Sequence, residues 1–102
     1  MKTQYYLKNV ELDSGVKEKM EKKLAHLSKY QKSLNFMKIH IDISRDRHHR
    51  KGDVYRVEIN ADVPRKLLRV EQTGPDMLAA FDLAAEKIDR QAREEKDKVA
   101  NR

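Results

Sequence analysis

The sequence predicts an α+β domain in which two helices pack on one face of a four-stranded mixed sheet, in the order β-α-β-β-β-α. Three observations support this fold class. Two segments alternate strictly between apolar and polar residues, two others carry one apolar stripe at helical spacing, and their order along the chain fits this topology. A chain of 102 residues has the size of one domain. We therefore assign residues 1–102 to a single domain.

The N-terminal third predicts the first strand and the first helix. Residues 3–8 have the composition of a short β-strand. Asp13 and Ser14 are favourable residues for a helix N-terminus, and the apolar residues after them recur every three or four positions. This spacing predicts an amphipathic helix over residues 14–31. Its apolar stripe consists of Val16, Met20, Leu24 and Leu27.

Three further strands are predicted in the middle of the chain. Residues 36–44 and 54–63 alternate between apolar and polar side chains and flank a polar loop, which indicates an antiparallel hairpin with one wet face. Pro64 ends the second of these strands because proline cannot donate a ladder hydrogen bond. Residues 67–73 then predict a fourth strand. The apolar face of the first hairpin strand consists of Ile39, Ile41 and Ile43.

The second helix opens at Gly74, Pro75 and Asp76. Proline fits the first helical position, and aspartate suits the positive end of the helix dipole. The apolar pattern ends at Ala92, so we expect residues 93–102 to project into solvent or to fray. The apolar stripe of this helix consists of Leu78, Phe81, Ala85, Ile88 and Ala92.

Composition excludes several classes of protein. The chain has no cysteine, which excludes a disulfide and a cysteine zinc site. No apolar run approaches the roughly 18 residues that a membrane span needs. Met1 is followed by polar residues rather than by the apolar segment of a signal peptide. We therefore expect a cytoplasmic protein without a membrane partner.

The net charge of +6 is unevenly distributed. Residues 14–33 contain six lysines and two glutamates, and residues 34–52 contain five Lys or Arg residues and two aspartates. A surface that is basic on one half indicates a polyanionic partner, and nucleic acid is the commonest polyanion in the cytosol. The alternative is a solvated lysine-rich helix beside a basic loop.

Catalysis finds no support in the sequence. His48 and His49 are adjacent, but they lie in a loop whose Lys and Arg residues repel a metal ion. His40 and Asp42 share one strand face, yet a surface pair without a pocket is usually just solvated. Three isolated glycines cannot build a phosphate-binding loop. We therefore expect no enzyme, no cofactor, no metal and no small-molecule substrate.

Basic residues give a stronger signal on both helices. A ridge beside the apolar stripe of the first helix consists of Lys19, Lys22, His26 and Lys29, with Lys23 next to it. Because Glu18 and Glu21 alternate with this ridge, an ordinary charged surface is the alternative. Near the end of the second helix Glu94, Glu95 and Asp97 lie among the basic residues, so RNA contact and internal ion pairing are equally open there. These basic residues are Lys87, Arg90, Arg93, Lys96 and Lys98.

Four stretches together resemble one protein family. They are residues 8–12; residues 21–24 with Leu27 and Lys29; residues 48–60 with 66–71; and residues 76–77, 79–82 and 89–91 with Arg93. In this order they cover nearly the whole chain, and their combination is similar to the short ribosome hibernation promoting factors. This family is also called ribosome-associated inhibitor A or YfiA-like.

The resemblance implies a shape similar to double-stranded RNA-binding domains. It also implies binding of small-subunit rRNA in the channel between head and body, over the mRNA and tRNA positions of the A and P sites. A free monomer that keeps idle ribosomes inactive is expected. The residues carried over as rRNA contacts are Lys22, Lys23, Lys29, Lys87, Arg90, Arg93, Lys96 and Lys98, with Arg45, Lys51 and Lys66 as weaker candidates.

Three departures from the family pattern are visible. Glu94 and Glu95 stand where the family has basic or neutral residues, which reduces the expected contribution of the second helix to RNA affinity. Leu7 and Lys8 replace a Gly-Arg pair before the first helix. The chain ends at Arg102, so we expect it to lack the C-terminal domain through which long members dimerise ribosomes.

A protein-interaction module is the alternative function. The wet sheet face and the acid-interrupted second helix would then bind another cytosolic factor, as in sigma-factor modulation. Salt dependence separates the two functions, because phosphate contacts produce a steep response to salt and an apolar interface does not.

Overall fold

The computed structural model describes residues 2–36, 38–47, 52–64 and 66–100 of the chain. The strands are β1 (Lys2–Lys8), β2 (Lys38–Asp46), β3 (Val54–Val63) and β4 (Lys66–Gly74). The helices are α1 (Ser14–Leu24), a 3₁₀ segment (Ala25–Tyr30), α2 (Gln31–Leu34) and α3 (Met77–Ala100). The predicted α+β class and the predicted order of elements along the chain are confirmed.

The four strands form one mixed sheet in the order β1-β2-β3-β4. β1 is parallel to β2, whereas β2–β3 and β3–β4 are antiparallel. The segment from α1 to α2 supplies the crossover that a parallel pair of strands requires. One row across the helix-covered face consists of Tyr5, Ile41, Ile59 and Val70.

The hydrophobic core lies between this face and the helices. Ile39, Ile41 and Ile43 are buried, as the strict alternation of β2 predicts. Met20, Leu24 and Leu27 are buried from the α1 side, and α3 contributes Phe81, Ile88 and four alanines. The core also includes Leu34 and Phe36, which the sequence pattern did not single out.

The first helical segment differs from the prediction of one helix over residues 14–31. The α-helix ends at Leu24, a 3₁₀ segment follows to Tyr30, and α2 ends at Leu34. The 3₁₀ geometry has three residues per turn, so Leu24, Leu27 and Tyr30 all face the core at a spacing of three. Burial of Tyr30 therefore explains why the tighter helix replaces the predicted one.

The start of α3 also differs from the prediction. Asp76 is the N-cap rather than a first-turn residue, because its Oδ1 accepts a hydrogen bond of 3.0 Å from the backbone N–H of Ala79. Pro75 consequently precedes the cap and is not the first helical residue. Asp13 caps α1 in the same way, with a bond of 2.8 Å from the Val16 N–H, as its sequence position suggested.

The end of α3 remains helical to Ala100, where a projecting or frayed end was expected. Ala92 and Glu95 are buried, and Val99 packs against the core. Glu95 takes part in this packing because Lys66 of β4 neutralises it, so a polar residue interrupts the apolar pattern without ending the buried face. Residues 101–102 lie outside the described chain.

The face of the sheet opposite the helices carries polar side chains. Glu58 lies at its centre and is only 8% exposed. It accepts hydrogen bonds from Arg56 (2.8 Å), Asn60 (2.9 Å) and Arg69 (3.1 Å). Arg56 also donates to Glu71 at 2.8 Å. This network, which we call the Glu58 network, fixes two arginine side chains on the uncovered face.

Candidate nucleic-acid interface

Lys22 is more exposed than Lys23 and Lys29. Its side chain is 78% exposed, and its Nζ lies 3.6 Å from the Oε1 of Glu18, one helical turn earlier. A surface pair of this kind contributes little to stability because water and salt screen it. Lys22 therefore remains available to a phosphate group.

Lys23 and Lys29 each reach an acidic side chain of α3. The Nζ of Lys23 lies 4.0 Å from Glu86, and the Nζ of Lys29 lies 3.3 Å from Asp89. Tyr30 donates its hydroxyl hydrogen to the same Asp89 carboxylate. These contacts join the α1–α2 segment to α3, so both lysines already have an acidic partner.

The pKa values of Lys29 and Asp89 shift as this pairing requires. The hydrogen bond to Asp89 is the main cause that raises the pKa of Lys29. Burial acts on Asp89 in the opposite sense, but hydrogen bonds from Tyr30 and Lys29 outweigh it, so the pKa of Asp89 lies below its usual value. Both groups therefore stay charged and paired at neutral pH.

Lys66 is paired with Glu95 at 2.9 Å. The Glu95 side chain is only 9% exposed, so this glutamate points away from any ligand on the outer surface of α3. The two acids that the sequence places together therefore differ in position, because Glu94 is exposed and Glu95 is not. Glu95 neutralises Lys66 rather than the outer basic residues of α3.

Two rows of α3 carry the remaining candidates. Helical spacing places Arg93 and Lys96 in one row with Asp89, on the side that faces the α1–α2 segment. Lys87 and Lys98 share a second row, which runs along β4, and helical spacing places Arg90 between the two rows. Along this second row the Nζ of Lys87 donates to Gln72 at 2.7 Å, and Gln91 donates to the backbone carbonyl of Arg69 at 3.1 Å.

Four cations of α3 form no salt bridge and no side-chain hydrogen bond within the described residues, and one of them, Arg93, still lies close enough to Asp89 to help lower the pKa of that carboxyl. All four are exposed, and none has a carboxylate oxygen within salt-bridge distance there. Lys87 differs from them, since its partner Gln72 is neutral. We call this group the α3 cation surface. It consists of Arg90, Arg93, Lys96 and Lys98.

Arg45 lies far from this surface. It stands near the end of β2, and its Nη1 lies 3.9 Å from Asp53. β2 begins at Lys38, beside the end of β3, so Arg45 is separated from that end of the sheet by about 23 Å of strand. Lys51, together with His48, His49 and Arg50, lies outside the described residues.

Sequence reasoning missed two exposed cations, Lys8 and Arg47. Lys8 was noted only as a departure from a family motif, and Arg47 only as part of a basic loop. Their common position depends on the parallel register that places Lys8 beside Ser44. No short-range pattern encodes that register, so the sequence carried no signal for it.

The histidines form no site within the described residues. The ring of His40 stacks on the ring of Tyr6, with centroids 5.7 Å apart and planes 6° from parallel. In that part of the chain no group of three or more His, Cys, Asp or Glu side chains is arranged to hold a metal ion. None of the helices described is long and apolar enough to cross a membrane.

Comparison with known proteins gives one family. The family described as "Sigma 54 modulation protein / S30EA ribosomal protein" matches residues 3–100. A protein named ribosome hibernation promotion factor, from Deinococcus radiodurans, is 30% identical over 86 residues. The match covers 84% of this chain and 44% of that relative, so the chain spans less than half of the relative's length.

Solved structures with the same fold accompany this match. The N-terminal domain of Protein Y from Thermus thermophilus is 29% identical, with a TM-score of 0.73, over 92% of this chain and 98% of that one. A ribosomal subunit interface protein from Coxiella burnetii has a TM-score of 0.79 over 95% of this chain and 99% of its own. Its identity is 22%, so it supports the fold alone.

Proposed function

Because the chain belongs to the Sigma 54 modulation protein / S30EA ribosomal protein family, we propose that it is a ribosome hibernation factor. It binds small-subunit rRNA in the channel for mRNA and tRNA and blocks the A and P sites sterically. The name of the Deinococcus radiodurans relative supports the hibernation role. The ribosome as partner places the protein in the cytoplasm, where it acts as a monomer.

The α3 cation surface is the observation that carries this proposal. A cation without an acidic partner can neutralise an RNA phosphate and release counterions without first breaking an ion pair. Arg90, Arg93, Lys96 and Lys98 form no salt bridge among the described residues. Lys22 is paired with Glu18 at 3.6 Å, but both side chains are more than two-thirds exposed, so this pair is weak and Lys22 is easily released to a phosphate. Lys87 also contributes, because its hydrogen bond to Gln72 leaves its charge uncompensated.

The other candidate contacts rank lower. Lys23, Lys29, Lys66 and Arg45 each have a carboxylate within 4.0 Å, so part of their charge is already used within the protein. We propose that these four residues mainly hold the helices and strands of the domain together. Lys51 is retained as a proposed contact from the family resemblance alone.

The proposed mechanism needs occupancy and no chemical reaction. The described chain measures 50 × 25 × 18 Å, and its 24-residue helix α3 accounts for about 36 Å of the long dimension. A rod-shaped domain of this size, attached along a channel by phosphate contacts, excludes other ligands from that channel. Affinity then depends on salt, whereas exclusion depends on shape.

Competition with initiator tRNA tests the proposal. The purified chain is co-sedimented with isolated small subunits at increasing salt, with and without initiator tRNA and a short mRNA. We expect stoichiometric pelleting at low salt, loss of pelleting as salt rises, and displacement of one ligand by the other. An absence of pelleting at low salt contradicts ribosome binding, and simultaneous binding with tRNA contradicts a block of the P site.

A further inference from the structure

A groove lies at one end of the sheet, on the face that the helices leave uncovered. Register across all four strands places Lys8, Ser44, Arg56 and Thr73 in one row. These four residues line the groove, whose volume is about 690 Å³. With strands about 4.8 Å apart, the row is about 14 Å wide, which exceeds what a single phosphate ion occupies.

The charges around this groove fall into two classes. Arg56 is held in place by Glu58 and Glu71, each at 2.8 Å, and hydrogen bonding to Glu71 is the main cause that raises its pKa. Lys8 and Arg47 are exposed and have no acidic side chain in salt-bridge distance within the described residues. Among the described residues, the groove therefore combines one fixed guanidinium with two cations that have no acidic partner there.

Neutral donors complete the lining. Ser44, Thr73 and Asn9 also line the groove, and Asn9 donates one of its amide hydrogens to the backbone carbonyl of Arg45 at 3.5 Å. Arg45 lines it as well, and its buried Nε has no hydrogen-bond acceptor in the part of the chain that the structure describes. Asp46 is the one acid among the lining residues. Cations interleaved with hydroxyl and amide donors suit phosphate oxygens.

We infer that this groove binds the phosphate backbone of an RNA strand through Lys8 and Arg47. The groove is open and wider than one ion, which fits an extended strand better than a free phosphate. The inference rests on the proposed function, since RNA is the partner proposed there. It adds a contact that is distinct from the α3 cation surface.

The position of the groove allows it to act together with the α3 cation surface in binding. It lies at the end of the sheet where β2 ends, whereas Lys66 and Glu95 mark the other end, where α3 finishes its packing. The two ends of β2 are about 26 Å apart. Two phosphate contacts at this separation act in one binding event, so the first raises the effective concentration for the second.

A matched pair of double variants tests the groove. Lys8→Ser with Arg47→Ser removes the two lining cations that have no acidic partner in the described part of the chain. Lys2→Ser with Lys38→Ser removes the same charge from cross-strand neighbours on the same sheet face, at the opposite end. All four residues are exposed or partly exposed, so we expect both variants to fold. A circular dichroism spectrum that matches the spectrum of the unmodified chain verifies this for each variant.

Two measurements are made on each protein. Small-subunit binding is followed across a salt series, and a short oligouridylate or inorganic phosphate is titrated while backbone amide resonances are recorded. For the groove variant we expect small-subunit affinity at low salt to fall by about tenfold or more, because each of the two removed cations makes a charge-assisted contact to phosphate. The slope of log affinity against log salt should fall by about 1 to 1.5. For the control variant we expect smaller changes in both the small-subunit affinity and the slope of log affinity against log salt.

The outcomes separate the two proposals. Equal losses in both variants overturn the groove as a specific contact while leaving ribosome binding intact. Failure of the unmodified chain to bind small subunits overturns the proposed function, and oligouridylate shifts at Lys8 and Arg47 then still support the groove. Saturation by inorganic phosphate as strong as by oligouridylate overturns the assignment to an RNA strand.

Discussion

Glu58 is the residue whose burial is hardest to reconcile with an exposed polar sheet face. It stays charged because three side-chain donors surround it, and the hydrogen bond from Asn60 is the main cause that lowers its pKa. Burial opposes this shift, and Arg69 and Arg56 reinforce it. Each arginine would lose a partner without Glu58. The Glu58 network therefore stabilises the uncovered face as one unit.

Replacement of Glu58 by glutamine should lower the free energy of unfolding by about 1–3 kcal/mol, because a buried hydrogen-bond network loses its charge. Urea denaturation at neutral pH measures this loss. Glu18→Gln is the matched control, since Glu18 makes only an exposed ion pair with Lys22. Its expected change is below about 0.5 kcal/mol. An equal loss in both variants would contradict a special role for Glu58.

The same carboxylate should make stability depend on pH. A carboxyl group whose pKa is lower in the folded state stabilises the protein fully above its unfolded pKa, and this contribution disappears as pH falls through the folded pKa. The ordinary value for glutamate is 4.5, so the loss begins below about pH 5. Thermal melts between pH 3 and 7 should decline less steeply for Glu58→Gln than for the unmodified chain. Parallel curves would contradict this assignment.

Among the elements, the 3₁₀ segment has the clearest structural task. It directs Tyr30 into the core, where the hydroxyl reaches Asp89 of α3, and it places Lys29 on the same carboxylate. A regular α-helix would place these residues at different angles about the helix axis. The segment therefore determines how the α1–α2 region docks on α3.

Tyr30→Phe tests this docking directly. The variant removes one hydroxyl and one hydrogen bond to a carboxylate, so we expect a loss of about 1–2 kcal/mol in the free energy of unfolding. Tyr6→Phe is the matched control, because the Tyr6 hydroxyl bonds Gln4 on an exposed surface at 3.1 Å. It should change stability by no more than about 0.5 kcal/mol. Equal effects in urea denaturation would indicate that the Tyr30 contact adds nothing.

For the whole molecule, the sequence predicts the architecture well. The bounds of β3 coincide with the alternating segment 54–63, and the family suggested by four short stretches is the one that matches residues 3–100. Period-two and helical patterns are local properties of the chain, which is why they can be read without a structure. The break at Leu24 follows from burial of Tyr30 against α3, which no local pattern reports.

The candidate interface was harder to predict because ion pairing joins distant residues. Lys29 and Asp89 are sixty positions apart, and Lys66 and Glu95 are twenty-nine apart. The sequence therefore predicted Lys29 and Arg93 equally as rRNA contacts. Within the described residues, however, only Lys29 has an acidic side chain at salt-bridge distance. It also treated Glu94 and Glu95 alike, whereas only Glu94 is exposed.

Salt dependence of small-subunit binding tests the central claim most directly, because it counts phosphate contacts. The unmodified chain is compared with Arg93→Gln/Lys96→Gln, from the α3 cation surface, and with Lys23→Gln/Lys29→Gln, whose lysines are paired with acids. We predict that the slope of log affinity against log salt falls by about 2 for the first variant and by clearly less for the second. An equal or larger fall for the lysine pair would contradict the α3 cation surface as the site of RNA contact.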